Sequence, residues 1–165
     1  MIPITGGEFV IEEEIGCVQG VGGGNFLVMG PDQMETFTAA QAAVEIIHEM
    51  EGIATSFPSG VVGSASKIGS KKYKFLKAST NDAFCPTLKD KNPNSLVPKG
   101  VNSVFEMIIN GINESVVRRA MATGIHVICQ MPGVTHISAS NFGGTLGAYK
   151  FYLREILAEK PYYGR

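Results

Sequence analysis

The sequence predicts an α+β fold of the ferredoxin-like type, in which an antiparallel sheet carries two helices on one face. Three observations lead to this prediction: two amphipathic helical segments, β-type apolar runs beside each of them, and a repeat of that pattern within the chain. Two strand–helix–strand–strand units, residues 26–79 and 105–153, are therefore expected to form one domain over residues 1–165. This length is enough for one hydrophobic core and too short for two large domains.

The first helix is predicted to begin after Asp32, an N-cap residue that Glu35 follows three positions later. Gly52 is expected to end this helix as the residue beyond its C-cap. Between them, apolar residues at spacings of three and four form one stripe: Met34, Phe37, Ala40, Val44 and Ile47.

The second helix is predicted to be shorter by about two turns, with Asn113 as its N-cap and Gly124 at its end. Its apolar stripe consists of Val116, Val117, Ala120 and Met121. The two units also share short strings, Ser-Ala-Ser at residues 64–66 and 138–140 and Tyr-Lys-Phe at residues 73–75 and 149–151.

The strands are expected in five β-type runs, namely Phe9–Ile15, Phe26–Met29, Tyr73–Leu76, Val104–Ile109 and Tyr149–Leu153. The glycine run Gly20–Asn25 precedes a strand, whereas a phosphate-binding loop follows a strand and precedes a helix. We therefore predict a tight hairpin turn there. Residues 81–102 join the two units as an irregular surface connection, long enough to suggest a function.

The composition excludes several classes of function. Fourteen basic residues balance 15 acidic ones, which argues against a nucleic-acid partner, and no apolar run reaches the ~18–20 residues of a membrane helix. The cysteines are odd in number and form no C-x-x-C pair, as is typical of reduced thiols in the cytoplasm. Because His48, His126 and His136 are widely separated, we expect no metal site.

Glu106 is the candidate catalytic residue. It interrupts an apolar run, and strand alternation places it on the same face as Val104 and Ile108. Apolar surroundings disfavour the anion, so a neutral carboxyl near pH 7 would be able to donate to a developing oxyanion or move a proton between two amines. The alternative is that this face meets solvent and Glu106 is simply exposed.

Five lysines surround the β-type run that begins at Tyr73: Lys67, Lys71, Lys72, Lys74 and Lys77. They are interpreted first as a solvated sheet face and second as a docking surface for an anionic small molecule, with nucleic acid third. Tyr73 and Phe75 alternate with the lysines and are expected to point inward.

Five strings occur in one order: IPITGGEF at residues 2–9, GVGGGNF at 20–26, FCPTLK at 84–89, EMIING at 106–111 and ISASNFGGTLG at 137–147. Together they resemble the C-terminal half of the formylmethanofuran:tetrahydromethanopterin formyltransferase family, from about Ile2 to Leu157. The resemblance implies a cytoplasmic enzyme of one-carbon metabolism. It would move a formyl group from formylmethanofuran to N5 of tetrahydromethanopterin. Methanofuran and tetrahydromethanopterin would be its substrates, with no bound prosthetic group, and the enzyme would be a homo-oligomer.

The resemblance implies that Glu106 is the acid–base group. The glycine-rich stretch with Asn141, Gly143 and Gly144 would let a substrate approach the backbone closely, and Lys72 and Lys74 would attract the polyanionic substrates.

The N-terminal lobe of that family is missing here, so a shortened paralogue and a fragment both remain open, and a partner is expected to supply the lobe if the chain does not act alone. The alternative function is a non-catalytic module that binds the pterin or methanofuran, or assembles with such an enzyme.

Overall fold

A computed structural model describes residues 1–63, 65–140 and 147–162. The elements follow one another as β1 (Ile2–Ile4), β2 (Gly7–Phe9), β3 (Val21–Gly30), α1 (Gln33–His48), β4 (Ile53–Thr55), β5 (Val61–Val62), β6 (Ser66–Ile68), β7 (Ala78–Thr80), the 3₁₀ turns Asp82–Phe84 and Pro86–Leu88, β8 (Ser103–Gly111), α2 (Glu114–Ile128), β9 (His136–Ser138) and α3 (Leu153–Ile156). Among the described residues, no helix is long and apolar enough to cross a membrane.

The main sheet has the strand order β4-β8-β3-β9, and β5 also pairs with β8. All of these pairs are antiparallel. Without the short strands β5 to β7, the order along the chain from β3 to β9 is β-α-β-β-α-β, the order that ferredoxin-like folds share. The predicted α+β class with an antiparallel sheet is confirmed.

Both helices pack against one face of the central strands. Phe26 and Val28 of β3 and Met107 and Ile109 of β8 alternate toward the helices, as the two-residue period of a strand requires. They form one core with buried residues of α1 and α2: Ala40, Ala43, Val44, Ile47, Val117, Ala120, Met121 and Ile125.

The predicted N-caps are confirmed. The Asp32 carboxylate accepts a hydrogen bond from the Glu35 N–H at 2.9 Å, and the Asn113 side-chain oxygen accepts one from the Val116 N–H at 3.0 Å. The stripe of α1 differs from the prediction in one member, because Met34 is 71 % exposed in the first turn. Each cap satisfies a backbone donor that the first helical turn leaves without a partner.

Both predicted helix ends are wrong. Helix α1 ends at His48, and Gly52 lies in the turn before β4 with a φ of 77°. Helix α2 continues through Gly124 to Ile128, so it has 15 residues against 16 in α1 rather than two turns fewer. A Cβ at Gly124 would lie 2.8 Å from a methyl carbon of Ile47, so this glycine permits close helix packing instead of ending the helix.

Two of the five predicted strands are confirmed, since Phe26–Met29 and Val104–Ile109 lie inside β3 and β8. The other three are wrong. Phe9–Ile15 contributes only Phe9 to a strand, Tyr149–Leu153 leads into α3, and Leu76 donates to the Tyr73 carbonyl in a turn. β-Type residues form strands where a neighbouring strand supplies backbone partners, and these runs lie outside the main sheet.

The predicted turn at Gly20–Asn25 is also wrong, because β3 begins at Val21 and includes the glycines. The register of β3 against β8 shifts by one residue between Gly22 and Gly24, which leaves Gly23 as a β-bulge. A Cβ at Gly24 would collide with the Met121 sulfur and lie 3.0 Å from Val117. The absent side chain lets α2 pack on the strand backbone.

The second face of the central strands is covered by residues 65–101, here named the covering segment. Leu27 and Met29 of β3 and Val104 of β8 point to this side, where they form a second cluster with Ala65, Phe84 and Val101. The segment contains the two-stranded sheet β6–β7 and the two 3₁₀ turns, and residues 81–102 are otherwise irregular, as predicted. Both faces of the central strands are therefore buried.

Replacement of Gly24 by alanine is expected to lower the free energy of unfolding by about 1–3 kcal/mol, because the new methyl group overpacks the contact with α2. Urea unfolding followed by circular dichroism measures the change. Gly16→Ala is the control, since a Cβ at Gly16 meets nothing within 4 Å. Equal unfolding midpoints for the two variants would contradict the close contact.

Candidate functional site

The carboxyl group of Glu106 is completely buried, with 0 % of the residue exposed. Its Oε1 accepts a hydrogen bond from the Asn25 side-chain amide at 2.6 Å. Its Oε2 accepts two, from the Ser66 backbone N–H at 2.8 Å and the Ser66 hydroxyl at 2.9 Å. Of the two interpretations of this strand position, the structure shows the buried one.

The strand register explains the contact between Asn25 and Glu106. Asn25 lies opposite Ile108 and Leu27 lies opposite Glu106, so Asn25 and Glu106 are diagonal neighbours on one face of the sheet. Diagonal side chains are within reach of each other when they are long or polar. The one-residue bulge at Gly23 ends directly before this pair and sets which face Asn25 occupies.

Ser66 approaches from the other side, because it is the first residue of β6 in the covering segment. The Glu106 carboxyl therefore joins the sheet to the segment that covers it. Leu27, Val104 and Ala65 surround this region with apolar side chains. The three donors satisfy both oxygens of a carboxyl that is shut off from solvent.

A cleft of about 720 Å³ opens on the same side of the sheet as Glu106. Its apolar lining includes Met29, Phe84, Leu96 and Ile137, and its polar lining includes Lys67, Asn81, His136, Ser138 and Ser140. Glu106 does not line this cleft. Ser66, which bonds Glu106, is adjacent to the lining, since Lys67 is its neighbour in sequence and the Asn81 amide donates to the Ser66 carbonyl at 3.4 Å.

Lys67 is held at the cleft by an ion pair with Asp82, which Lys71 joins at 3.2 Å. Hydrogen bonds from Lys67 and then Lys71 lower the pKa of Asp82 from its ordinary 3.8 to about 2. The pair connects β6 to the first 3₁₀ turn of the covering segment.

The other predicted binding residues are placed differently. Lys72 and Lys74 are exposed and do not line the cleft, and the Lys72 ammonium lies 5.0 Å from the centre of the Tyr73 ring. Tyr73 and Phe75 are 44 % and 79 % exposed, so the expectation that they point inward is wrong. Residues 70–77 form no strand, and without a sheet to pack on, the aromatic rings stay at the surface.

Asn141, Gly143 and Gly144 lie outside the described residues. The chain just before them, Ala139 and Ser140, lines the cleft.

Sequence reasoning missed Asn25 and Ser66 as partners of Glu106. The sequence contains a weak signal for Asn25, because it is a polar residue directly before the apolar run of β3 and lies on the same face of the strand as Leu27. No local sequence pattern marks Ser66. Within the described part of the chain, no three His, Cys, Asp or Glu side chains come together as a metal site would require. His48, for example, contacts Thr55 at 2.7 Å.

The fold and the site define an α+β lobe with a buried, hydrogen-bonded carboxyl beside a cleft. The chain belongs to the family described as FTR, proximal lobe, which matches residues 7–156. It is 52 % identical over 155 residues to the formylmethanofuran–tetrahydromethanopterin formyltransferase of Methanothermobacter thermautotrophicus, and 50 % identical to that of Methanosarcina mazei. Each alignment covers 94 % of this chain and 52 % of the relative, so the chain spans about half the length of the relatives it matches.

Two solved structures share the fold. The Methanosarcina barkeri formylmethanofuran:tetrahydromethanopterin formyltransferase superposes with a TM-score of 0.81 and 51 % identity, over 93 % of this chain and 52 % of that one. The Methylorubrum extorquens formyltransferase/hydrolase complex, solved with methylofuran, superposes with a TM-score of 0.79 and 36 % identity. The match covers 86 % of this chain and 46 % of that one. The resemblance to the C-terminal half of this enzyme family is confirmed.

The ion pair at the cleft makes stability depend on pH in a defined direction. Because the pKa of Asp82 is lowered in the folded chain, the stabilisation is complete above about pH 4 and is lost as the pH falls toward about 2. We expect the difference in unfolding free energy between the native chain and Asp82→Asn to shrink over that range. Urea unfolding at a series of pH values measures it, with the exposed Asp90→Asn as control. A difference that stays constant from pH 5 to about 2 would contradict the pairing.

Proposed function

We propose that the chain takes part in the transfer of a formyl group from formylmethanofuran to N5 of tetrahydromethanopterin, with Glu106 as the acid–base group. The observation that carries the proposal is the buried Glu106 carboxyl, which accepts three hydrogen bonds beside a cleft. The names of relatives that are about half identical to the chain supply the reaction and the two substrates.

The reaction suits a single buried carboxyl. The attacking nitrogen forms a bond to the formyl carbon, and the carbonyl oxygen takes the negative charge of a tetrahedral adduct. A carboxylate removes the proton from the attacking nitrogen and returns it to the leaving nitrogen, whose bond to carbon then breaks. No proton is consumed overall, and the reaction needs no covalent enzyme intermediate and no bound cofactor.

We place the substrates in the cleft next to Ser66, whose volume of about 720 Å³ lies in the usual range of small-molecule sites. The Ser140 hydroxyl oxygen lines it and has no hydrogen-bond partner within the described part of the chain. Asn141, Gly143 and Gly144 follow directly and are proposed to contact a substrate. Lys72 and Lys74 are exposed, so their proposed contribution is attraction of anionic substrates from a distance.

A change of Glu106 to glutamine is expected to lower turnover by about 100-fold or more, because the amide cannot take up and return the proton. Formyl transfer by the purified chain is measured with both substrates, and circular dichroism checks folding. Glu51→Gln, an exposed change of the same kind, is the control and is expected to keep the native rate. An unchanged rate in Glu106→Gln would remove this residue from the mechanism.

The alternative function is a non-catalytic module that binds the pterin or methanofuran, or assembles with a formyltransferase. It is favoured by the exposed apolar residues at the N-terminal end of the chain, which are described next. A folded native chain that binds either substrate without turnover would support this alternative.

The N-terminal residues 1–20, here named the arm, support an assembly. Every residue of the arm is exposed, including Ile2, Ile4 and Phe9 of the hairpin β1–β2, which pairs only with itself among the described strands. An isolated two-stranded hairpin is marginal in water, and contiguous exposed apolar groups mark interaction sites. We propose that a second copy of the chain, or a partner that supplies an N-terminal lobe, covers the arm.

We place this assembly in the cytoplasm, with small molecules as ligands and with neither nucleic acid nor membrane as partner. The charge balance and the three free cysteines support that placement.

Replacement of Ile2, Ile4 and Phe9 together by serine is expected to shift the chain from an oligomer to a monomer, because it removes the apolar groups that the assembly would bury. Light scattering after size exclusion, at micromolar concentration, measures the mass. The control changes Glu12, Glu13 and Glu14 of the arm to glutamine. A native chain that is already monomeric and stays so when mixed with an N-terminal lobe from a relative would contradict the proposal.

A further inference from the structure

Two groups at the site have no part in the chemistry described so far, namely the Asn25 amide and the Ser66 hydroxyl. We infer that Asn25 and Ser66 are positioning residues, which hold the Glu106 carboxyl in one orientation and stabilise its charged form between proton transfers. The inference rests on the proposed function for its catalytic consequence, but the hold on the carboxyl can be tested without turnover.

Both oxygens of the Glu106 carboxyl are hydrogen-bonded. Asn25 occupies Oε1 at 2.6 Å, and Ser66 occupies Oε2 through its backbone N–H at 2.8 Å and its hydroxyl at 2.9 Å. A glutamate side chain has several rotatable bonds, and hydrogen bonds to both oxygens, one from the sheet and two from the covering segment, restrict its orientation. Bonds to an ionised acceptor are roughly twice as strong as those between neutral groups.

The two donors come from different parts of the fold. Asn25 lies on β3 directly after the glycine bulge, while Ser66 lies on β6 of the covering segment. Ser66 is also linked to the cleft, since Lys67 and Asn81 both line it and the Asn81 amide contacts the Ser66 carbonyl. A substrate that contacts Lys67 or Asn81 would therefore lie one residue away from Ser66, which bonds the Glu106 carboxyl.

The other charged or titratable groups near this face of the sheet have partners of their own. On β9, His136 lies opposite Met29 and contacts the Thr135 hydroxyl at 3.0 Å. Strands β3 and β8 contain no charged residue except Glu106. On the covering segment, Lys67 and Asp82 pair with each other, Lys71 joins that pair, and Lys89 bonds the Val101 carbonyl and the Asn102 side chain. Loss of a donor from Asn25 or Ser66 should therefore change directly how readily Glu106 is protonated.

The test compares Asn25→Ala and Ser66→Ala with Ser66→Thr, which restores the hydroxyl. The control is Ser79→Ala, which removes a serine hydroxyl bonded to the Gly69 carbonyl in the same small sheet. The titration of Glu106 is followed by carbon-13 NMR of chains labelled at the glutamate carboxyl carbon, and the signal that disappears in Glu106→Gln identifies the residue. Turnover is measured on the same samples over a range of pH.

In each alanine variant, we expect the midpoint of the Glu106 titration to rise by about one pH unit, because one donor to the carboxylate is lost. We also expect kcat to fall by about tenfold while KM changes by less than about twofold, with the acid limb of the rate profile moving in the same direction. Ser66→Thr should restore the native midpoint, and Ser79→Ala should keep it.

The inference is overturned if Asn25→Ala and Ser66→Ala, both folded, titrate at the native midpoint. Should Ser66→Ala fail to fold, Ser66→Cys, which keeps the volume and weakens the donor, takes its place with the same expected direction. A native chain without turnover would overturn the proposed function alone, since the titration would still test the hold on the carboxyl. Turnover that persists at the native rate in both folded alanine variants would overturn the positioning role alone.

Discussion

The antiparallel pairing of β3 with β8 is the interaction on which the rest of the molecule depends. These two strands form the centre of the main sheet, and β4, β5 and β9 pair with one or the other of them. Because successive side chains alternate, the pairing gives one face to Phe26 and Met107 and the other to Leu27 and Glu106. The helices cover the first face, and the second is covered by a long segment with little regular structure.

That unequal covering explains how a carboxyl comes to be buried. A helix packed on the second face would offer mainly apolar side chains, since its backbone donors are used within the helix. The covering segment instead places the free N–H and the hydroxyl of Ser66 against Glu106. A buried carboxylate without partners would cost several kcal/mol, and Ser66, at the first position of the short strand β6, supplies two of the three donors that meet it.

Much of the fold could be predicted from local patterns, and the failures have physical causes. The two central strands and both N-caps follow from apolar runs and single capping residues, which act over a few positions. Gly124 and the run from Gly20 were misjudged because glycine both ends elements and permits close packing, and only the neighbouring element decides between these uses. The same limit applies to the site. Glu106 interrupts an apolar run, which is a local signal, but its burial depends on residues 40 positions away in the sequence.

The continuous apolar character of β3 and β8 nevertheless contains information about the second face. In a sheet with one solvated face, polar and apolar residues alternate along each strand, so the positions of Leu27 and Met29 would be polar. Apolar runs without alternation are typical of strands buried on both faces. Glu106 is thus a polar residue in a position that the surrounding pattern marks as interior. An ionisable side chain at a buried position lowers the stability of the fold relative to an apolar side chain of the same size. Such a residue is therefore more readily explained by a chemical role than by packing. The three donors that meet the carboxyl offset part of that cost, because they satisfy both of its oxygens.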